Sequence, residues 1–171
     1  LQARRDAARE RGRLVGAGAS NTITGVASTN FEHAEVRFDT GGGVSLLCGA
    51  MDHGQGHGTT FKQVLADRLG IDAGGIRYRY GDTDQVATGV GTFNARCAVF
   101  VGSAVSIAAD KIIAKGKRIA AHMLEAAEDD IRFANGTFSI VGTDRTVALT
   151  EVARTAFQKP KLPADVEPGL F

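Results

Sequence analysis

The stretch Met51-Asp52-His53-Gly54-Gln55-Gly56-His57-Gly58-Thr59-Thr60 concentrates polar side chains among glycines just before a helical pattern. Unpaired N–H groups at a helix start, presented by residues without a Cβ, attract a phosphate or the polar edge of a heterocycle, and the Gln55 amide both donates and accepts a hydrogen bond. A second stretch of the same character, Tyr80-Gly81-Asp82-Thr83-Asp84 followed by Gly89-Val90-Gly91-Thr92-Phe93-Asn94-Ala95-Arg96-Cys97, also leaves a strand and enters a helix. There Thr92 supplies a hydroxyl, Gly91 permits close backbone approach and Arg96 suits a bidentate phosphate contact. Neither GxGxxG nor GxxxxGK followed by Ser or Thr occurs, which excludes the usual dinucleotide and P-loop signatures.

Other chemistries fit these residues less well. His53 and His57 lie four apart and would form, with Asp82 and Asp84, a hydrolytic metal centre. Gly54, Gly56 and Gly58 oppose the continuous helix that would put both imidazoles on one face, and no HExxH glutamate accompanies them. Asp beside Gly and Thr after a strand is turn chemistry before it is an acid–base pair. A glycine-rich turn without a ligand is the plain alternative for the first loop. Cys97 follows Arg96 near a helix start, where a thiol pKa falls, but it also opens an apolar stretch. Cys48 lies in a strand, and both thiols are expected to be buried and reduced.

These segments must be positioned by regular elements. Residues 14–25, 35–38 and 44–48 are expected to form three antiparallel strands, the last two around Asp39-Thr40-Gly41-Gly42-Gly43. From Thr59, the spacing of Phe61, Val64, Leu65 and Leu69 predicts an amphipathic helix that ends at Gly70. Residues 76–80 then alternate as a strand, making a strand–helix–strand crossover and a mixed sheet. Residues 95–127 contain no proline and predict a long helix bent near Gly116, with its front part, 97–109, buried almost all round. Asn135-Gly136 between 131–134 and 137–141 predicts a type I′ hairpin. Thr150 is expected to cap a last short helix, and Pro160, Pro163 and Pro168 to end regular structure. The fold class is therefore α+β: a mixed, largely antiparallel sheet with one long buried helix and shorter flanking helices.

Composition narrows the function. With 171 residues, 43% hydrophobic, 23% charged and a net charge of +1, the chain suffices for one domain, and it carries no clustered cations of the kind a nucleic-acid groove needs. No apolar run is expected to reach the ~20 residues that span a bilayer, and no signal-peptide core follows the basic start, so a cytoplasmic protein without membrane insertion is expected. Glycine, at 22 residues against 3 prolines, gathers in the candidate loops. Residue 1 is Leu, 1–13 is a charged helical stretch expected to serve as an entry helix or linker, and 158–171 reads as a linker to a missing C-terminal part. The chain is thus expected to be an excised fragment, with 14–157 as part of a cofactor-binding domain.

Four segments in order resemble one family: Gly54-Gln55-Gly56-His57-Gly58-Thr59; the helix Phe61-Lys62-Gln63-Val64-Leu65-Ala66-Asp67-Arg68-Leu69-Gly70; Gly81-Asp82-Thr83-Asp84; and Gly91-Thr92-Phe93-Asn94-Ala95-Arg96. They resemble the molybdenum-binding subunit of the xanthine dehydrogenase and aldehyde oxidase family, of the aerobic carbon monoxide dehydrogenase large-chain type. The likeness runs from about residue 12 to 156. It implies that the two loops bind the pyranopterin and diphosphate of molybdopterin cytosine dinucleotide. Gln55 would hydrogen-bond the pterin, with Gly56 and Thr59 along that loop; Thr92, Asn94, Ala95, Arg96 and Cys97 would line the diphosphate, and Gly91 and Phe93 would also be cofactor-binding. Where the family commonly has Gly-Ser-Arg-Ser or Gly-Ser-Arg-Thr, this chain has Asn94-Ala95-Arg96-Cys97, so two hydroxyl donors are lost and Asn94 must take a glycine-like conformation. The resemblance further implies an FAD-binding medium subunit, an iron–sulfur small subunit and a dimer of heterotrimers. It also implies a Gly-Glu-Gly catalytic motif that this chain does not contain, so the isolated chain is expected to be inactive. A non-catalytic nucleotide- or phosphate-binding module is the second reading of the same loops.

Overall fold

The structure, a computed structural model, describes residues 1–23, 25 and 31–171. A short helix, α1 (Gln2–Arg9), precedes two three-stranded sheets packed around one long helix. In the first sheet, β1 (Ala34–Phe38) pairs antiparallel with β2 (Val44–Cys48), which pairs parallel with β3 (Ile76–Arg79). The parallel pair requires a crossover, and α2 (His57–Leu69) supplies it. The second sheet is antiparallel: β4 (Ile131–Ala134), β5 (Thr137–Ile140) and β6 (Thr146–Ala148), followed by α4 (Leu149–Thr155). Between the sheets runs α3 (Cys97–Met123), continuous over 27 residues.

The local signals explain most of these boundaries. Gly70 takes φ 62° at the end of α2, and a Cβ there would meet the backbone of Asn135 and Gly136 at 2.3 Å, so this glycine also seats the β4–β5 turn. Asn135 (φ 48°) and Gly136 (φ 75°) both adopt the left-handed values that a type I′ turn demands. Gly116 does not break α3. A Cβ there would lie 2.5 Å from Phe138 Cζ, so the glycine serves the close approach of α3 to β5 rather than a bend.

Five expectations need correction. Residues 14–23 and 25 form no strand, with Leu14 at 92% and Ile23 at 100% exposure; Thr24, also within that expected strand, lies outside the described residues. The front of α3 is buried on one face only: Val101, Val105 and Ala109 are in the core, whereas Ala98, Val99, Ser103 and Ile107 are exposed. This helix is also long and apolar enough to cross a membrane by length and composition, because Asp110 and Lys111 are alone in an otherwise uncharged first two-thirds. The residues of 158–171 are not a free linker, because Leu162, Val166 and Leu170 are buried and the Phe38 N–H donates to the Leu170 carbonyl at 3.0 Å. The last helix starts at Leu149, one residue before Thr150, so Thr150 is not its cap, and the three-residue β6 was too short to show a period.

Substituting Gly116 by alanine gains up to about 1 kcal/mol of helix propensity, but overpacking a core site costs about 1–3 kcal/mol. With Phe138 fully buried and unable to swing into solvent, the clash decides the sign. Gly116→Ala is expected to lower the urea midpoint, and a raised midpoint would show that the Phe138 ring yields freely.

Candidate functional site

The two loops meet at one backbone carbonyl. Met51 O accepts a hydrogen bond from the Thr92 hydroxyl at 2.7 Å and another from Gln55 Nε2 at 3.1 Å. Just before it, the Ala50 carbonyl accepts from the Tyr78 hydroxyl at 2.6 Å, and Cys48 Sγ lies 2.9 Å from that same hydroxyl. Burial, together with the Cys48 contact, pushes the Tyr78 phenol up, and burial pushes the Cys48 thiol up, so both groups stay protonated and act as neutral fasteners. The crossover β2–α2–β3 thus sets the first loop against the second loop at the head of α3.

The two helix starts differ. At α2 the Asp52 carboxylate already occupies the anion position, accepting the Gly58 N–H at 3.0 Å and the Gly54 N–H at 2.9 Å. These backbone donors hold its pKa below the usual carboxylate value. Gly56, in the left-handed region at φ 83°, turns the chain into the helix. At α3 no side chain caps the first turn and no acidic residue lies in it. The first intrahelical bond runs from the Phe100 N–H to the Arg96 carbonyl at 2.9 Å, so the N–H groups of Cys97, Ala98 and Val99 have no acceptor within the helix. Ala98 and Val99 face solvent. The anion-friendly helix start is therefore the second one.

Arg96 is not a free clamp. Its side chain is 0% exposed. Nη1 donates to Glu32 Oε2 and to the Gly91 carbonyl at 2.6 and 2.7 Å, and Nη2 donates to the Phe31 carbonyl at 2.6 Å. The rings of Phe93 and Phe100 lie 5.3 and 5.5 Å from the guanidinium carbon. A buried guanidinium needs a counter-charge, and Glu32 satisfies that need before any phosphate does. Nε is, among the described residues, the one buried side-chain polar atom without a partner. Burial pushes the Glu32 carboxyl up, but hydrogen bonds from Arg96 and from the Val90 and His33 N–H groups outweigh it and hold the pKa below its ordinary value.

The remaining expected site residues are placed as follows. Gln55 folds back on its own loop, its Oε1 accepting the His53 N–H at 2.5 Å and its Nε2 lying 3.1 Å from His57 Nδ1. Thr59 sits exposed in the first turn of α2, its N–H donating to the Gly56 carbonyl at 3.1 Å. Gly91 (φ 99°) and Asn94 (φ 50°) both take left-handed conformations, as the glycine-like role of Asn94 requires. Phe93, Asn94 and Ala95 are exposed around the open helix start, and Cys97 is 5% exposed with Sγ 3.8 Å from the Gly91 carbonyl. Asp82 accepts from the Asp84 N–H and the Gln85 amide, which is turn chemistry. Among the described residues no cluster of three His, Cys, Asp or Glu side chains could hold a metal ion. Sequence reasoning missed Asp52 and Glu32. Asp52 carried a signal, an acidic residue two before a glycine at a helix entry. Glu32 carried none, because its partner lies 64 positions away.

These features define a class, an α+β domain that presents a glycine-rich loop and an uncapped helix start on one junction. The family model for the molybdopterin cofactor-binding domain matches residues 1–167, and the chain belongs to that family. It is 37% identical over 158 residues, covering 92% of this chain, to the carbon monoxide dehydrogenase large chain of Hydrogenophaga pseudoflava, and covers 19% of that protein. It is 37% identical to the nicotine 6-hydroxylase large subunit of Paenarthrobacter nicotinovorans, over 98% of this chain and 22% of that subunit. Among solved structures, carbon monoxide dehydrogenase from Oligotropha carboxidovorans superposes with a TM-score of 0.77 at 38% identity, over 82% of this chain and 17% of that one. The chain thus spans about a fifth of the length of the relatives it matches.

Because the Glu32 pKa is lowered on folding, its contribution to stability is complete above the ordinary value of 4.5 and is lost as pH falls through the lower folded value. Groups near it include the Arg96 cation and the Cys48 thiol, neither of which changes charge in that window. Wild type is expected to exceed Glu32→Gln in urea-unfolding free energy at pH 6, with the gap closing as the pH falls below 4.5. A gap independent of pH would show that Glu32 does not act as a charge.

Proposed function

We propose that this chain is the part of a molybdenum hydroxylase large subunit that holds molybdopterin cytosine dinucleotide, with the diphosphate at the start of α3. The open N–H groups of Cys97, Ala98 and Val99 carry this reading, since in the first turn of α2 the Asp52 carboxylate takes the Gly58 N–H and the Gly56 carbonyl that of Thr59. Residue fit supports it further. Gly91 and Asn94 curve the backbone around the helix start, Phe93 offers an exposed ring beside it, and Arg96 Nε is a donor without an acceptor.

On this reading Gln55 orients the pterin by exchanging its bonds to the His53 N–H and the Met51 carbonyl for bonds to the ligand, and Thr59 lies along the same loop. The Thr92 hydroxyl, through Met51, keeps the two loops at a fixed spacing, so pterin and diphosphate are held together. When bound, the cofactor supplies two-electron oxidation with oxygen taken from water, and the whole enzyme would oxidise carbon monoxide, an aldehyde or an N-heterocycle. Electrons would pass to an iron–sulfur subunit and an FAD subunit in a dimer of heterotrimers. This chain contributes binding and orientation, and the proton-accepting glutamate belongs to a Gly-Glu-Gly motif its sequence does not contain. A nucleotide-binding module without molybdenum would use the same helix start.

Two measurements test the proposal. CDP added to the chain is expected to shift the amide resonances of Cys97, Ala98 and Val99 and to leave Gly54 and Gly58 unmoved; shifts confined to 54–58 would overturn the placement. The gene product expressed in a host that makes the cytosine dinucleotide is expected to carry molybdenum and to release CMP in equal amounts. Nucleotide binding without molybdenum would decide for the non-catalytic module.

A further inference from the structure

We propose that Glu32 is a positioning residue for the anion site at the start of α3: it anchors the Val90 and Arg96 ends of the 90–96 loop and so fixes where the first N–H groups of α3 point. The inference rests on the cofactor reading above. Glu32 lies before β1, far from the site in sequence, and its side chain is 0% exposed, which removes it from contact with any ligand in bulk solvent.

Its two oxygens divide the work. Oε2 accepts from Arg96 Nη1 at 2.6 Å; Oε1 accepts from the Val90 N–H at 3.0 Å and from the His33 N–H at 3.1 Å. Val90 opens the 90–96 segment and Arg96 closes it as the N-cap residue of α3, so one carboxylate holds both ends. The Arg96 fork then returns to the Gly91 carbonyl inside the segment at 2.7 Å and to Phe31 beside Glu32 at 2.6 Å. The backbone is made to fit this hub. A Cβ at Gly49 would sit 2.4 Å from Gly89 Cα and 3.1 Å from Glu32 Oε1, and one at Gly89 would sit 2.4 Å from Gly49 Cα. Only glycine at both positions lets β2 and the second loop close over the carboxylate. An anion held by backbone N–H groups needs those groups within about 0.5 Å and 10–20° of the productive geometry. The Glu32 hub supplies that constraint, and it occupies the Nη1 donor that a phosphate would otherwise take.

The test is a titration of CDP into the 171-residue chain and its variants at 10 °C, with folding of each variant checked by circular dichroism. Glu32→Ala is expected to weaken CDP binding about tenfold or more. Glu32→Gln, which keeps the reach and an acceptor for the Val90 N–H, should stay within about threefold of wild type. Glu32→Ala combined with Arg96→Met should bind no worse than the weaker single variant, because both act through one hub. If Glu32→Ala does not fold, the double variant, which leaves no unpaired buried charge, carries the comparison with wild type. Wild-type affinity in a folded Glu32→Ala, or in the double variant, would overturn the proposal even if its melting temperature fell. If the wild-type chain itself binds no CDP, the cofactor reading fails for this chain, and positioning is read from amide exchange. Faster exchange at Val90 in Glu32→Ala, or in the double variant if Glu32→Ala does not fold, beyond its change in global stability, supports the hub, and unchanged exchange overturns it.

Discussion

A fully buried guanidinium is the constraint around which this domain is organised. Desolvating Arg96 is affordable only with a counter-charge, and removing one partner of such a pair costs about 3–5 kcal/mol. The chain meets that demand with Glu32, two backbone carbonyls and two aromatic faces. These partners come from three stretches of chain, so satisfying one side chain fixes the residues before β1, the second loop and the head of α3 at once. The glycine pair Gly49 and Gly89 follows from the same requirement, because any side chain there would hold the loop away from the carboxylate.

The second organising feature is that two similar helix starts have been made unlike. Both begin with glycine-rich loops, and both would attract an anion by the dipole of the helix. Asp52 fills one from within, which stiffens the first loop and frees its outward edge, including Gln55, for contacts other than charge neutralisation. The other is left without a carboxylate or cap. The Thr92 hydroxyl, donating to the Met51 carbonyl, keeps the two starts at a set spacing. On the function proposed above, a ligand with a polar ring system at one end and a diphosphate at the other spans this pair; family membership itself establishes the molybdopterin cofactor-binding domain.

The sequence by itself determined what depends on near neighbours. The period of α2, its stop at Gly70, the Asn135-Gly136 hairpin and the crossover that places β3 parallel to β2 are local consequences of spacing and of which residues tolerate positive φ, and the structure has them all. The two loops were legible for the same reason, whereas the glycine-like conformation of Asn94 followed from the family resemblance. Only the tertiary structure decided what depends on pairs far apart in the chain. Arg96 reads locally as a phosphate clamp, and the distant Glu32 turns it inward. Gly116 reads locally as a bend, and Phe138 makes it a packing contact. Residues 97–109 read as buried on every side because they are apolar, yet burial is set by which neighbours the sheets supply, and they cover only one face of α3. Residue types fix what a side chain can do, and the long-range fold fixes which of those possibilities is already satisfied before a ligand arrives.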